Sequence, residues 1–237
     1  MNPSVLAIHG AVANGAAWQG LERALRGDVA VDAPDLPGHG ARRGEPFSLA
    51  GAVEELRARA RALAARGPLL VAGDSLGGYL ALAVAAGLDV PLLGVLAGGC
   101  TYELRGAGGA AARLTLIADA LARLDGKRAA ERFFAGVVRR EAGPEIGDAI
   151  VARGLNVAMR GLTLRALLGH DTLADVRALG APVIFINGAR DLPIVWQTKR
   201  FAAAARRGRA LVVPGAGHGV GLLRPEAFAA ALRSLLG

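Results

Sequence analysis

The sequence is poor in the residues that crosslink chains or bind metals. It has one cysteine and four histidines in 237 residues. The single cysteine, Cys100, excludes an internal disulfide framework and fits a reducing compartment. These few residues have no metal-ligand spacing, and no phosphate-binding loop pattern occurs. The sequence therefore predicts a protein that needs neither a metal nor a cofactor.

Long apolar runs and a secretion signal are also missing. No apolar stretch is long enough and free enough of arginine to span a bilayer. The first nine residues carry no basic side chain and pass straight into a strand-like segment, unlike a signal peptide. We therefore expect a cytoplasmic protein that has no membrane partner.

The positive charge does not have the pattern of a nucleic-acid interface. The formal net charge is +8, but lysine occurs only at Lys127 and Lys199, and the arginines are scattered along helical segments. A binding surface for nucleic acid would instead cluster them on one patch or stripe. We interpret the charge as surface chemistry and expect a small-molecule partner, with the oligomeric state left open.

Short apolar runs alternate with segments of helical spacing. Aromatic residues make up only 4% of the chain while apolar residues make up 53%, so the core must be built mainly from Ala, Leu and Val. Strands alternating with helices are typical of a parallel sheet covered on both faces. The sequence thus predicts an α/β fold with a doubly wound, mostly parallel sheet of about six strands, at residues 5–8, 29–31, 69–72, 92–96, 183–186 and 211–213.

A long segment without strands separates the fourth and fifth of these runs. Residues 101–179 have helical periodicity, and this segment is too long for a plain connection. We interpret it as a helical lid inserted between the core segments 1–100 and 180–237, with a glycine-rich hinge at 106–109. Helices are predicted in it at residues 110–124, 128–140 and 150–168.

The third strand is followed by a motif typical of a nucleophilic serine. Gly73, Ser75 and Gly77 form a G-x-S-x-G pattern between a strand and a helical run. Glycines are needed there because the nucleophile has a strained backbone, and the helix start directs amides at developing negative charge. The alternative is a tight strand-to-helix turn with an incidental serine.

Two further strand ends supply partners for Ser75. His218 lies in a glycine-rich loop after the last strand and can exchange a proton near neutral pH. Asp191 follows the preceding strand and could hold the imidazole in the correct tautomer. Taken alone, His218 fits a turn and Asp191 fits a helix cap. Together they predict a catalytic serine, acid and base.

The order Ser75, Asp191, His218 is that of α/β-hydrolases, and the chain resembles this family over nearly its whole length. It is most similar to the small lidded members, which include esterases, lactonases, hydroxynitrile lyases and cofactor-free haloperoxidases. The segment after the first strand resembles the family's oxyanion loop, which implies that the amides of Ala11 and Leu76 bind the oxyanion. The resemblance also implies that His39, in a family-like loop after the second strand, is structural.

The expected activity is cleavage of a small to medium, largely apolar ester, thioester or lactone through an acyl-enzyme. The alternatives are lyase, acyltransferase or perhydrolase use of the same triad, or a ligand-binding receptor on the same fold. Candidates for substrate contact are Val12, Asp74 and Cys100. Cys100 also fits a small buried residue. Asp74 departs from the family pattern, because many relatives carry histidine before the serine. It fits either a local helix cap or a carboxylate that raises the pKa of His218.

Overall fold

The computed structural model describes residues 2–113, 116 and 127–237 of the chain. Six strands form one sheet in the order β2-β1-β3-β4-β5-β6, and every neighbouring pair is parallel. This confirms the predicted fold class. The strands are β1 (Ser4–Ile8), β2 (Ala30–Asp32), β3 (Leu69–Asp74), β4 (Gly94–Gly98), β5 (Val183–Gly188) and β6 (Gly208–Val213).

Alternating side chains of the strands feed two separate cores. Leu6 and Ile8 of β1 pack on one face of the sheet, whereas Val5 and Ala7 pack on the other. This is the period of two expected of a sheet that is buried on both faces. The first face is covered by α2 (Leu49–Ala64), α3 (Leu76–Ala86), α7 (Thr172–Ala178) and α8 (Thr198–Ala204), and the second by α1 (Gln19–Leu25) and α10 (Pro225–Arg233).

The strands β4 and β6 differ most from their predicted ranges. β6 starts three residues earlier than predicted, at Gly208, because it is an edge strand whose residues are mostly exposed and therefore need not be apolar. β4 covers Gly94–Gly98 rather than 92–96, since its register with β3 pairs Leu70 with Gly94 and Asp74 with Gly98. Because β4 begins and ends with glycine, the apolar run in the sequence starts two residues before the strand.

The described part of the segment between β4 and β5 is mostly helical and contains no strand. It contains α4 (Lys127–Ala142), α5 (Pro144–Arg153), α6 (Ala158–Leu167) and α7, and residues 106–113 and 116 are helical too. The predicted helix 110–124 lies largely outside the described residues. Residues 106–109, the predicted glycine-rich hinge, form the start of a helix.

The predicted helix 150–168 is broken in the structure. Gly154 adopts φ 103°, which ends α5, and the buried residues Leu155 to Val157 connect it to α6. Asn156 donates its side-chain amide to the carbonyl of Gly38 at 2.8 Å, so the break is anchored on the loop after β2. The helical period of apolar residues continues through the break because Leu155 and Val157 are buried by tertiary contacts in the connection, not on a helix face. None of the described helices is long and apolar enough to cross a bilayer.

Candidate active site

Ser75 lies in a sharp turn between β3 and α3. Its backbone has φ 59° and ψ −121°, a conformation that is costly for any residue except glycine. Its two flanking glycines leave no room for a side chain. A Cβ on Gly73 would lie 2.0 Å from the carbonyl oxygen of Gly77, and a Cβ on Gly77 would lie 1.9 Å from that of Ile8. The G-x-S-x-G spacing is therefore a packing requirement of this turn.

Ser75, His218 and Asp191 form a continuous hydrogen-bonded chain. The Oγ of Ser75 is 2.8 Å from Nε2 of His218, and Nδ1 of His218 is 2.9 Å from Oδ2 of Asp191. Since a carboxylate only accepts, the Nδ1–H donates to Asp191, and Nε2 of the neutral ring accepts the serine hydroxyl. The loops after β3, β5 and β6 bring together residues that are 143 and 27 positions apart.

The surroundings of His218 favour its protonated form. Partial desolvation of the ring, whose side chain is 48% exposed, lowers the pKa of His218, but the hydrogen bond and charge of Asp191, together with the charge of Asp74, outweigh this effect. The pKa of His218 is therefore raised above its ordinary value. A base with a raised pKa takes a proton from serine more readily, while still returning it to a leaving group.

The loop after β1 lies directly against Ser75. A Cβ on Gly10 would be 3.3 Å from the Cβ of Ser75. The carbonyl of Gly10 accepts from Nδ1 of His9 at 2.8 Å, and that of Ala11 accepts from Nε2 of His39 at 2.8 Å. Because a trans peptide directs its carbonyl and amide to opposite sides, fixing the Gly10 carbonyl also fixes the direction of the Ala11 amide.

His9 and His39 hold together the loops that follow β1 and β2. Both rings are buried, and they meet edge to face with centroids 5.0 Å apart. Nε2 of His9 accepts the amide of Leu36 at 3.0 Å, which joins the loops after β1 and β2. Burial is the main cause that lowers the pKa of His9 to about 3, and burial also lowers the pKa of His39. The assignment of His39 as a loop residue rather than a second base agrees with these contacts.

Two backbone amides beside Ser75 face no acceptor in the described part of the chain. The amides of Gly78 and Tyr79 both donate to the carbonyl of Ser75. The amide of Leu76, at the start of α3, donates to no backbone carbonyl among the described residues, and neither does the amide of Ala11. The two residues share a cavity wall with Ser75. Unpaired amides at a helix start are suited to bind an anion.

Ser75 lies where two cavities meet. One measures about 360 Å³ and the other about 670 Å³. Ala11, Ser75, Arg160, Ile194 and His218 line both. The smaller cavity is completed mainly by Leu76, Tyr79, Tyr102, Leu104, Thr163, Leu164 and Leu167, and the larger mainly by Val12, Trp18, Phe134, Val138, Leu155, Leu192 and Leu222.

The three candidates for substrate contact have different positions. Val12 lines the larger cavity. Asp74 borders that cavity but is only 6% exposed. Cys100 is fully buried beside Gly78 and lines neither cavity, which fits the small buried residue that the sequence also allowed. Burial raises the pKa of its thiol well above the ordinary value, so it is a poor nucleophile.

Asp74 is not a helix cap. No side chain caps the start of α3, and Oδ2 of Asp74 instead accepts the amide of Gly221 at 2.6 Å. No pattern in the sequence predicts this contact or the place of Arg160 in both cavity walls. Arg160 follows no strand and lies on α6, far from any recognisable motif. Within the described ranges, no group of three or more His, Cys, Asp or Glu side chains is placed to hold a metal ion.

Comparisons with known proteins agree with this fold. The model of the alpha/beta hydrolase family matches residues 5–231. A solved E-2-(acetamidomethylene)succinate hydrolase is 22% identical with a TM-score of 0.79, covering 100% of this chain and 92% of its own. A thermophilic esterase from Thermogutta terrifontis is 21% identical with a TM-score of 0.75, covering 100% and 89%.

MenH from S. aureus is 17% identical with a TM-score of 0.79, covering 100% of this chain and 94% of its own. At these identities the structural matches establish the fold alone. No functionally curated protein matches the sequence. The family model spans nearly the whole length, from β1 to the last helix. The chain therefore belongs to the alpha/beta hydrolase family.

Proposed function

We propose that the protein is a serine hydrolase that cleaves a carboxylic ester, thioester or lactone through an acyl-enzyme. The observation that carries the proposal is the chain from Ser75 Oγ through His218 to Asp191, with Ser75 open to two cavities. A serine hydroxyl becomes a nucleophile when a neighbouring base accepts its proton and a third group orients that base.

In the proposed reaction Ser75 Oγ attacks the carbonyl carbon while Nε2 of His218 takes the hydroxyl proton. The amides of Ala11 and Leu76 bind the oxyanion, a type of contact worth about 3 kcal/mol in the transition state. The His218 imidazolium then gives its proton to the leaving group, and the acyl-Ser75 ester remains. Water, deprotonated by His218, attacks this ester and releases the acid and free Ser75.

The two cavities favour a substrate with an arm on each side of the scissile carbonyl. Their walls are mostly Leu, Val, Ala and aromatic side chains, which suits small to medium apolar groups. The proposed lid, residues 101–179, contributes Leu164 and Leu167 to one cavity and Phe134 and Leu155 to the other. The lid would therefore select the substrate on both sides of Ser75.

The test uses a fluorophosphonate probe and short-chain aryl esters. Wild type should be labelled at Ser75 and should hydrolyse the esters, and Ser75→Ala should lose both. Ser4→Ala is the matched control, since Ser4 lies at the start of β1 at the other end of the sheet from Ser75. Its labelling should equal that of wild type. An unlabelled wild type, or equal turnover by Ser75→Ala, would contradict the proposal.

The same experiment separates the alternative uses of the site. Added alcohol that accepts the acyl group in preference to water would indicate an acyltransferase. Labelling at Ser75 with no turnover across a panel of acyl chain lengths would instead favour a ligand-binding receptor. Hydrolysis that depends on Ser75, His218 and Asp191 together supports the hydrolase.

A further inference from the structure

We infer that Asp74 is a positioning residue that serves, together with Asp191, as a second counter-ion to His218. The inference rests on the proposed function, because it concerns how the base of that reaction is held. Asp74 is 6% exposed and directly precedes the nucleophile. It therefore acts through His218 rather than through contact with substrate.

One oxygen of Asp74 fixes the carboxylate to the loop that carries His218. Oδ2 accepts the amide of Gly221 at 2.6 Å, across 147 positions of sequence. Gly221 lies three residues after His218, in α9 (Val220–Leu223). A Cβ on Gly221 would lie 2.7 Å from the Trp18 ring and 3.1 Å from Oδ2, so only glycine fits. The contact joins the nucleophile turn to the histidine loop.

The other oxygen of Asp74 lies near the imidazole of His218, next to Gly99. Oδ1 is buried and has no hydrogen-bond partner among the described residues. A Cβ on Gly99 would lie 2.9 Å from Oδ1, 3.1 Å from Cε1 of His218 and 3.1 Å from the amide nitrogen of Ser75. These three atoms therefore surround one small space beside Gly99. The space stays open because Gly99, whose φ is 61°, has no side chain.

The orphaned oxygen is explained by the charge that the reaction creates. A buried acceptor without a partner destabilises the resting state of the protein. When His218 takes the proton of Ser75, its ring becomes an imidazolium whose positive edge includes the Cε1–H. The imidazolium then has two carboxylates near it, Asp191 at Nδ1 and Asp74 next to Gly99.

The groups around His218 shift its pKa in both directions. Partial desolvation of the ring and the charge of Arg160, on α6, lower the pKa of His218, while Asp191 and Asp74 raise it. Burial raises the pKa of Asp74, and the His218 charge and the Gly221 amide oppose this. Each group thus favours the charged form of the other, which is the mutual effect expected of an ion pair.

The experiment compares Asp74→Asn with wild type. Asparagine keeps an oxygen for the Gly221 amide but removes the charge. The rate of fluorophosphonate labelling at Ser75 is measured against pH, which requires no knowledge of the natural substrate. Because the neutral base is the active form, losing a raising charge should move the acidic limb to lower pH by about one unit. The high-pH plateau should fall as well, because the imidazolium formed in the reaction loses one of its two counter-ions.

Two controls keep the result specific. Asp89→Asn removes the same charge at an exposed position, where Asp89 pairs only with Arg61, and its limb should coincide with that of wild type. The NMR titration of His218, assigned by its loss in His218→Ala, should shift with the limb. If Asp74→Asn does not fold, Asp74→Ser removes the charge with a smaller side chain and is measured in the same way.

An acidic limb of Asp74→Asn that is unchanged, or moved to higher pH, would overturn the inference. That failure is distinct from failure of the proposed function. If wild-type Ser75 is labelled but the limb does not move, only the role of Asp74 is wrong. If wild-type Ser75 is not labelled at all, the hydrolase proposal itself is wrong.

Discussion

The side-chain amide of Asn14 donates to the carbonyl of Ile150 at 2.9 Å and to that of Gly154 at 3.3 Å. Its oxygen accepts the amide of Ala16 at 3.1 Å. Asn14 is fully buried, so one side chain both shapes the loop after β1 and satisfies the carboxyl end of α5. The carboxyl end of α5, which belongs to the proposed lid, is therefore anchored to the sheet domain.

Replacing Asn14 by alanine should destabilise the protein by about 2 kcal/mol. The change leaves buried carbonyls and an amide without partners and removes a cap. The free energy of unfolding in urea measures the effect. Ser48→Ala, at the exposed cap of α2, is the control and should cost about 1 kcal/mol or less. Equal losses in both variants would contradict the anchoring role.

Asp191→Asn should lower kcat for ester hydrolysis by about 10⁴ and leave the fold intact. Asparagine can present its NH₂ to Nδ1 and stabilise the wrong tautomer of His218, so that Nε2 no longer accepts the serine proton. Asp175→Asn is the matched control, since Asp175 lies 2.6 Å from Nε2 of His170 in a second His–Asp pair outside the site. A small effect at Asp191, or a large one at Asp175, would contradict the assignment.

Gly77→Ala should prevent the chain from folding to a native state, because its Cβ would lie 1.9 Å from the carbonyl oxygen of Ile8. Gly136→Ala makes the same chemical change in α4, where a Cβ would meet no atom within 4 Å. It should raise the unfolding free energy by about 1 kcal/mol. Yield of folded protein and thermal unfolding report both. A folded Gly77→Ala with an unchanged midpoint would refute the packing argument.

His9 should make the protein sensitive to acid. Its pKa in the folded state is about 3, chiefly because of burial, against about 6.5 in an unfolded chain. As the pH falls through this interval, the unfolded state binds a proton that the native state does not. Stability should then drop by about 1.4 kcal/mol per pH unit from this group. His9→Asn should reduce the slope of unfolding free energy between about pH 6 and pH 4.

The stability contributed by His170 should depend on pH in the opposite direction to that of His9. Its hydrogen bond to Asp175 raises its pKa, so the stability it contributes is present below the unfolded pKa and is lost as pH rises through the folded one. The pair is partly exposed, and its worth is therefore about 1 kcal/mol or less. His170→Asn should lose stability at low pH only. Identical pH slopes for the two histidine variants would contradict both assignments.

The sequence by itself determined the fold class and the order of the chemical groups. Strand-forming runs such as 183–186 are local, because period and β-branching express burial on both faces of a sheet. Gly73, Ser75 and Gly77 are also local, since a strained turn between a strand and a helix admits few residues. The loops after parallel strands meet at one edge, and this placed Asp191 and His218 near Ser75 in advance.

Only the tertiary structure decided the partner of Asp74, the break at Gly154 and the place of Arg160. The contact from Asp74 to Gly221 spans 147 positions, and no local pattern records which amide a buried carboxylate will meet. Leu155 and Val157 continue a helical period although they fill a buried connection. Local periodicity reports that a side chain is buried, whereas its neighbours are set by how helices and loops pack over the sheet.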